Sequence, residues 1–486
     1  MPNVGYTREE YRDLKPRWDL IRDCLAGETQ IKDRGTTYLP KPNPEDTSAE
    51  NTTRYNAYKA RAVFYGVGSR TVDGLVGQVS HRDPVIELPN ELEPLLENVD
   101  GSGVSLPQQA NQVLRDVLSF SRGGLLVDYP KVESESGTTV EQLKAGDIRP
   151  TITYWQPWDI INWRTKQVGG VFRLSLIVLT ENYVTDDDGF EEEKDDQWRV
   201  LRLDENNNYV VEEWIRWNKV LDGRDVVDYE LKATWMPKDH LGNPFDHIPF
   251  VFVGSQNNSE HPDLPLLYDL CSLNIAHYRN SADYEDSCYL TGQPTPVFSG
   301  LTEQWVNDVL KGRVMLGSRA SVSLPEGGGA ELLQASPNSM PFEAMQHKEK
   351  LMVALGAKLV EQQQVQRTAT EATNDKIGED SVLTTVAKNV SAAYRSALGF
   401  ALQFVSGNET EIVFELNTDF EVHKLTPEEQ NALVTLWQSR AIVTEEMRDR
   451  LRKGGVAYLE DEEYKSIKET EEPALDLGAS EEGFEE

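Results

Sequence analysis

The sequence predicts an α+β protein. The first third mixes helical and extended patterns, short strands alternate with turns from Ile148 to Gly254, and the chain after Pro262 is mostly helical. At 486 residues, with 38% hydrophobic residues, 10 Trp and 18 Tyr, it has enough apolar surface for two to four packed domains. The net charge of -34, from 82 acidic against 48 basic residues, excludes a surface that grips nucleic acid by replacing phosphate counterions. Solubility is the plainest use of such acidity. Cys24, Cys271 and Cys288 are too few and too scattered for a disulfide framework or a zinc site, so a reducing cytoplasm suffices. MPNVGYTREE lacks a signal-peptide pattern, and no apolar run approaches the roughly 18 residues of a membrane span.

Each element has a local reason. Tyr58, Arg61, Ala62, Phe64, Tyr65 and Val72 sit in a helical pattern ending at GLVGQV, followed by a short strand in RDPVIELP. In LPQQANQVLRDVLSFSRGG, Val113, Leu114, Val117 and Leu118 form an apolar face, and the paired glycines are expected to stop the helix before the strand LLVDYP. TITYWQPWDIINW, GGVFRLSLIVLTE, QWRVLRLDE, YVVEEWIRW and PFVFVG then read as strands. From Leu264 to Leu290 a helix about 35 to 40 Å long places Leu266, Leu270, Leu273, His277, Tyr284 and Cys288 near one face. GQPTPVFSG breaks it, a short helix follows around Trp305, and RVMLGSRASVSLPEGGGAELLQAS reads as a small hairpin with a glycine tip. A second long helix carries Phe342, Met345, Met352, Leu355 and Leu359. A third, from about Glu379 to Ser406, carries Val382, Val386, Val390, Ala393, Ala397, Phe400 and Phe404. EIVFELNTDF is a strand, and a helical pair capped at Thr426 and Thr444 follows. The tail from Ile467 holds eight acidic residues and one lysine, the composition of a disordered segment.

Catalytic chemistry is sparse. LKGRVMLGSRA lacks the lysine of a phosphate-binding loop. His240, His247 and His261 are without ligand spacing, and His277 on its apolar stripe reads as a core histidine. HExxH, GxSxG and a Cys–His pair are absent from the sequence. TDDDGFEEEKDD (Thr185 to Asp196) lacks the alternating ligands of a calcium loop and reads as a solvated hairpin. Asp283 with Glu285 or Asp286 reads as solvated charge on a helix face. No catalytic residue, metal site or cofactor is expected.

What remains is an order of parts: an α/β region, a long helix, a compact insertion, a long helix, a polar loop, a longer helix, a strand and terminal helices. This order, and the stretches YNAYKARAVFYGVGSRTVDGLVGQV (55–79), RGGLLVDYP (122–130), LPLLYDLCSLNIAHYRNSADYE (264–285), TATEA (368–372) and LNTDF (416–420), resemble the portal proteins of tailed double-stranded DNA bacteriophages. The resemblance covers nearly the whole chain. It implies a head-tail connector: a ring, commonly of twelve subunits, at one capsid vertex, through which a terminase motor drives DNA in and through which DNA later leaves.

Carried onto this sequence, the resemblance implies a wing (1–260), a first stem helix (261–294), a clip (295–336) and a second stem helix (337–360). A tunnel loop (361–377), a wing helix and strand (378–425), a short crown (426–466) and an acidic tail (467–486) complete it. Subunits would meet through Leu266, Leu270, Leu273, Tyr284, Met345, Met352 and Leu355. Trp305, Arg313, Arg319 and Glu326 would dock terminase or adaptor. Gln362, Gln363, Gln364, Gln366, Arg367, Thr368 and Thr370, in EQQQVQRTATEATNDK, would face passing DNA with groups that exchange hydrogen bonds without a strong charge trap. Implied partners are the ring itself, the major capsid and scaffolding proteins, the terminase large subunit, a head-tail adaptor and DNA read without sequence specificity. No membrane is involved; the ring would assemble in the bacterial host cytoplasm and reside in the virion. On the residues alone, the polar loop also reads as an ordinary turn, and the stripes also suit a monomeric bundle. An acidic scaffold or adaptor of a viral assembly without a channel, or a metal-dependent hydrolase, are the other classes open.

Overall fold

The computed structural model describes residues 3–129, 149–221, 224–292, 295–309, 323–333, 339–359, 381–406, 411–420, 427–453 and 456–457. Helix and antiparallel sheet are mixed, and the chain divides into two compact units, Met1–Thr418 and Asp419–Glu486.

The first unit opens with α1 (Glu9–Ala26), whose Tyr11, Leu14, Trp18, Ile21 and Cys24 are buried at helical spacing. Short α2 (Glu28–Asp33) precedes α3 (Ala49–Arg61), where Ser48 caps the amide of Asn51. The single helix expected through 58–79 is two: the chain turns extended at Ala62, and α4 (Val67–Val79) starts after Gly66. β1 (Val85–Glu87) and α5 (Pro94–Glu97) lead to α6 (Leu106–Phe120), which begins with a capping box between Ser105 and Gln108. α6 ends at Ser121 in the left-handed conformation (φ 58°), and β2 (Arg122–Asp128) starts immediately. The paired glycines therefore lie inside the strand instead of stopping the helix. A Cβ on Gly123 would come within 2.8 Å of the Tyr154 ring, and one on Gly124 would collide with Phe250, so close packing of aromatic rings demands both.

β2 is the centre of a three-stranded antiparallel sheet with β3 (Thr151–Trp155) and β9 (Phe250–Gly254); Leu125 stands opposite Tyr154 and Val251. α6 and a long helix near the end of this unit, residues Val382–Val405, pack on this sheet. Tyr394 donates to Gln109 Oε1 at 3.0 Å, and Tyr129 donates to the Phe400 carbonyl at 2.8 Å. Between β3 and β9 lies a five-stranded meander: β4 (Ile160–Val168), β5 (Val171–Asp187), β6 (Glu192–Leu203), β7 (Tyr209–Leu221) and β8 (Arg224–Trp235). The acidic stretch forms the ends of β5 and β6, with Asp186 opposite Glu193 and only 188–191 turning. Amides of Phe190 and Glu191 donate to the Asp188 carboxylate.

The remaining elements of this unit are α7 (Tyr268–Thr291), β10 (Thr295–Ser299), α8 (Glu303–Asp308), β11 (Gly329–Leu333), α9 (Met340–Ala357), α10 (Val382–Val405) and β12 (Val413–Glu415), which pairs with β1. The second unit contains α11 (Pro427–Gln438) and α12 (Thr444–Lys453). No described helix is long and apolar enough to cross a membrane.

Candidate functional site

The helix pair α7–α9 is the place where the sequence-predicted groups converge. The two run antiparallel: the rings of Tyr284 and Phe342 are 5.6 Å apart, Lys348 donates to Asn280 Oδ1, and His277 faces Glu349. Met345 and Met352 of α9 are buried within the chain.

The other side of α7 docks on the segment running from α3 to α4. Tyr58 donates to Asp283 at 2.6 Å, and burial followed by that carboxylate pushes the Tyr58 phenol up. Arg61 pairs with Asp286 and lies 4.3 Å over the Tyr289 ring. Ser281 Oγ accepts from the Val63 amide at 3.0 Å, Asn274 donates to the Tyr65 carbonyl at 2.7 Å, and the Phe64 and Tyr278 rings meet edge to face. The extended stretch 62–66 thus finds partners for its backbone groups on the helix. Asp283 and Asp286, the carboxylates weighed for metal or acid–base work, are tied into this joint. Among the described residues no group of three or more His, Cys, Asp or Glu side chains is placed to hold a metal ion.

This joint moves the buried stripe of α7 from the one the sequence suggests. Leu270, Cys271, Asn274, Ile275, His277, Tyr278, Ser281 and Ala282 are buried. Leu266, Leu273 and Tyr284 are half-buried and Cys288 is exposed. Asn274 and Ser281 escape a search for apolar spacing because they are buried to hydrogen-bond backbone. Of the expected subunit-contact residues, Leu270, Met345 and Met352 are covered by this chain's own packing, whereas Leu266, Leu273, Tyr284 and Leu355 keep accessible surface.

The root of α7 is held by Arg122, which sequence reading left without a role. Its fully buried guanidinium lies 3.7 Å over the Phe252 ring and 4.9 Å over Trp163, and donates to the carbonyls of Ser259 (3.0 Å) and Glu260 (2.9 Å). Burial lowers its pKa to about 9, which leaves it a cation at neutral pH.

Among the described residues, several apolar side chains of the pair are exposed: Val353 (73%) and Leu290 (54%) most of all, with Leu351, Tyr289 and Phe342 less so. In the insertion, β10 pairs with β11, so the strand Gly329–Leu333 partners Thr295–Ser299, and the first arm of the expected hairpin lies outside the described residues. Trp305 is half-buried, with its indole donating to the Ser323 carbonyl at 3.3 Å, and Glu326 is exposed in the turn at Gly327. Arg313 and Arg319 lie outside the described residues, as do all the tunnel-loop positions (Gln362, Gln363, Gln364, Gln366, Arg367, Thr368 and Thr370) and the acidic tail.

Residues 265–405 match a family described as "Domain of unknown function (DUF4055)", a span that runs from the start of α7 to the end of α10. No curated protein matches the chain. Among solved structures, the chain is similar to the neck of a native gene transfer agent particle computed with C12 symmetry, at 13% identity and TM-score 0.39, covering 79% of this chain and 89% of that one. The neck of the empty particle computed with C6 symmetry gives the same values, and the virion of the native particle gives 13% identity and TM-score 0.39 over 87% and 98%. A TM-score of 0.39 is short of a shared overall fold, so the functional reading rests on the chain's own residues.

Proposed function

We propose that the chain is a portal protein, a virion component whose ring of twelve subunits at one capsid vertex passes the genome during packaging and ejection. It also serves as the platform for terminase and the head-tail adaptor. The exposed apolar surface of the α7–α9 pair carries this reading: a helix pair of a monomeric bundle would bury Leu290 and Val353, whereas subunits of a ring cover them with a neighbour. Two of the portal-like stretches, 55–79 and 264–285, form one joint in this fold, which suits a rigid subunit. The net charge of -34 suits a lumen in which DNA slides without neutralising contacts. In this reading α7 and α9 are the stem, the β10–β11 insertion is the clip with Trp305, Arg313, Arg319 and Glu326 toward motor and adaptor, and residues 361–377 line the channel. Capsid and scaffolding proteins surround the ring.

Val353→Asp tests it. The side chain is exposed in the subunit, so the change costs folding less than about 0.5 kcal/mol but places a charge in the subunit contact. Soluble, folded subunits that no longer form rings are expected; normal ring yield refutes the stem assignment.

A further inference from the structure

His277 is fully buried between three segments, yet among the described residues neither ring nitrogen has a hydrogen-bond partner. The imidazole lies 4.8 Å from the Tyr65 ring, and Glu349 Oε1 of α9 is 3.4 Å from Nε2 without the alignment of a hydrogen bond. A buried histidine kept for packing ordinarily donates from one nitrogen and accepts at the other. Here the neutral ring is under-satisfied. The charged ring is also poorly served, because the nearby Glu349 carboxylate is half-exposed and the Lys348 ammonium opposes it.

We propose that His277 is a proton-responsive release for the helix pair: protonation of its imidazole loosens α9 from α7. The groups facing it are Glu349 and Lys348 from α9 and the Tyr65 ring from the α3–α4 segment. Burial holds the imidazole below its ordinary value of 6.5, against the pull of Glu349 and with the push of Lys348. The packed form then binds fewer protons than the opened form. Packing is at full strength above 6.5 and weakens as pH falls from there toward the lowered value, by at most about tenfold in the opening equilibrium per pH unit. This inference is independent of the ring assignment, since it concerns a contact within one chain.

Two measurements on the full-length protein test it. The first is slow exchange of the imidazole C2 hydrogen, read by mass spectrometry across pH, which reports the pKa of His277 without substitution. A value below 6.5 is expected, lowered further by Glu349→Gln and raised by Lys348→Gln; a value at or above 6.5 overturns the proposal. The second is amide exchange over 340–357 at pH 7.5 and 5.5, corrected for intrinsic rates. Protection is expected to fall several-fold in the wild type and to stay level in His277→Gln. Equal loss in both, or no loss in the wild type, overturns it.

Discussion

Arg122→Met isolates what fastens the segment leading into α7 to the three-stranded sheet. The substitution keeps an unbranched apolar stem between Phe252 and Trp163 but removes the donors for the Ser259 and Glu260 carbonyls. Hydrogen bonds from a charged donor contribute about 1.5–3 kcal/mol each, so two give roughly 3–6 kcal/mol. Removing a buried cation returns part of its desolvation cost, which brings the expected loss to about 2–4 kcal/mol. The assay is native-state amide exchange in the 254–263 segment, where the Gly254 amide donates to Asn258, Gln256 to Asp263 and Ser259 to Asn257. Opening is expected to become roughly 30- to 700-fold more frequent, at tenfold per 1.4 kcal/mol. Arg122→Lys, which keeps the charge but loses the fork, is expected to fall between the two. A change below about threefold in Arg122→Met, with the strands β2 and β9 intact, refutes the claim that this cation ties the root of α7 to the sheet.

Three further outcomes are expected. Tyr58→Phe removes the donor to Asp283 and is expected to cost about 1–2 kcal/mol in thermal or denaturant unfolding. Burial raises Asp116 to about 6, so the folded state binds more protons than the unfolded one and stability falls as pH rises from about 4 through 6; Asp116→Asn is expected to flatten that slope and to add on the order of 3 kcal/mol at pH 8. Replacing Gln362, Gln363 and Gln364 by lysine is expected to slow DNA packaging into proheads most at low salt, since log affinity falls by about 0.9 per log unit of salt for each phosphate neutralised. The serine triple variant is expected to package nearly normally, and equal packaging by the two argues that the loop stays clear of DNA.

The parts of the fold legible in the sequence are those governed by one period. The long helix of α10 shows its buried stripe at Val386, Val390, Ala393 and Ala397, and the meander shows alternation bounded by turn residues. What escaped depends on contacts far along the chain. Gly123 and Gly124 read as a helix stop, but their lack of side chains is demanded by Tyr154 and Phe250, which sequence order does not bring near. The break at 62–66 has no proline to announce it; it is held open by Asn274 and Ser281, about 210 residues away. α1 carried a readable stripe in Tyr11, Leu14, Trp18 and Ile21, at spacings of three and four, and a count of that period from the first residues finds it. For the candidate site, the helix pair was legible and its contacts were not. Arg122 was given no role, because a lone arginine beside glycines gives no hint of an aromatic cage.

The central claim is a closed ring, and the native mass of the purified protein, with particles imaged down their axis, tests it most directly. The account predicts a species of about 659 kDa, twelve times the 54.9 kDa subunit, with rotational symmetry and an open centre. A folded species at 54.9 kDa, or a dimer without a central opening, contradicts it.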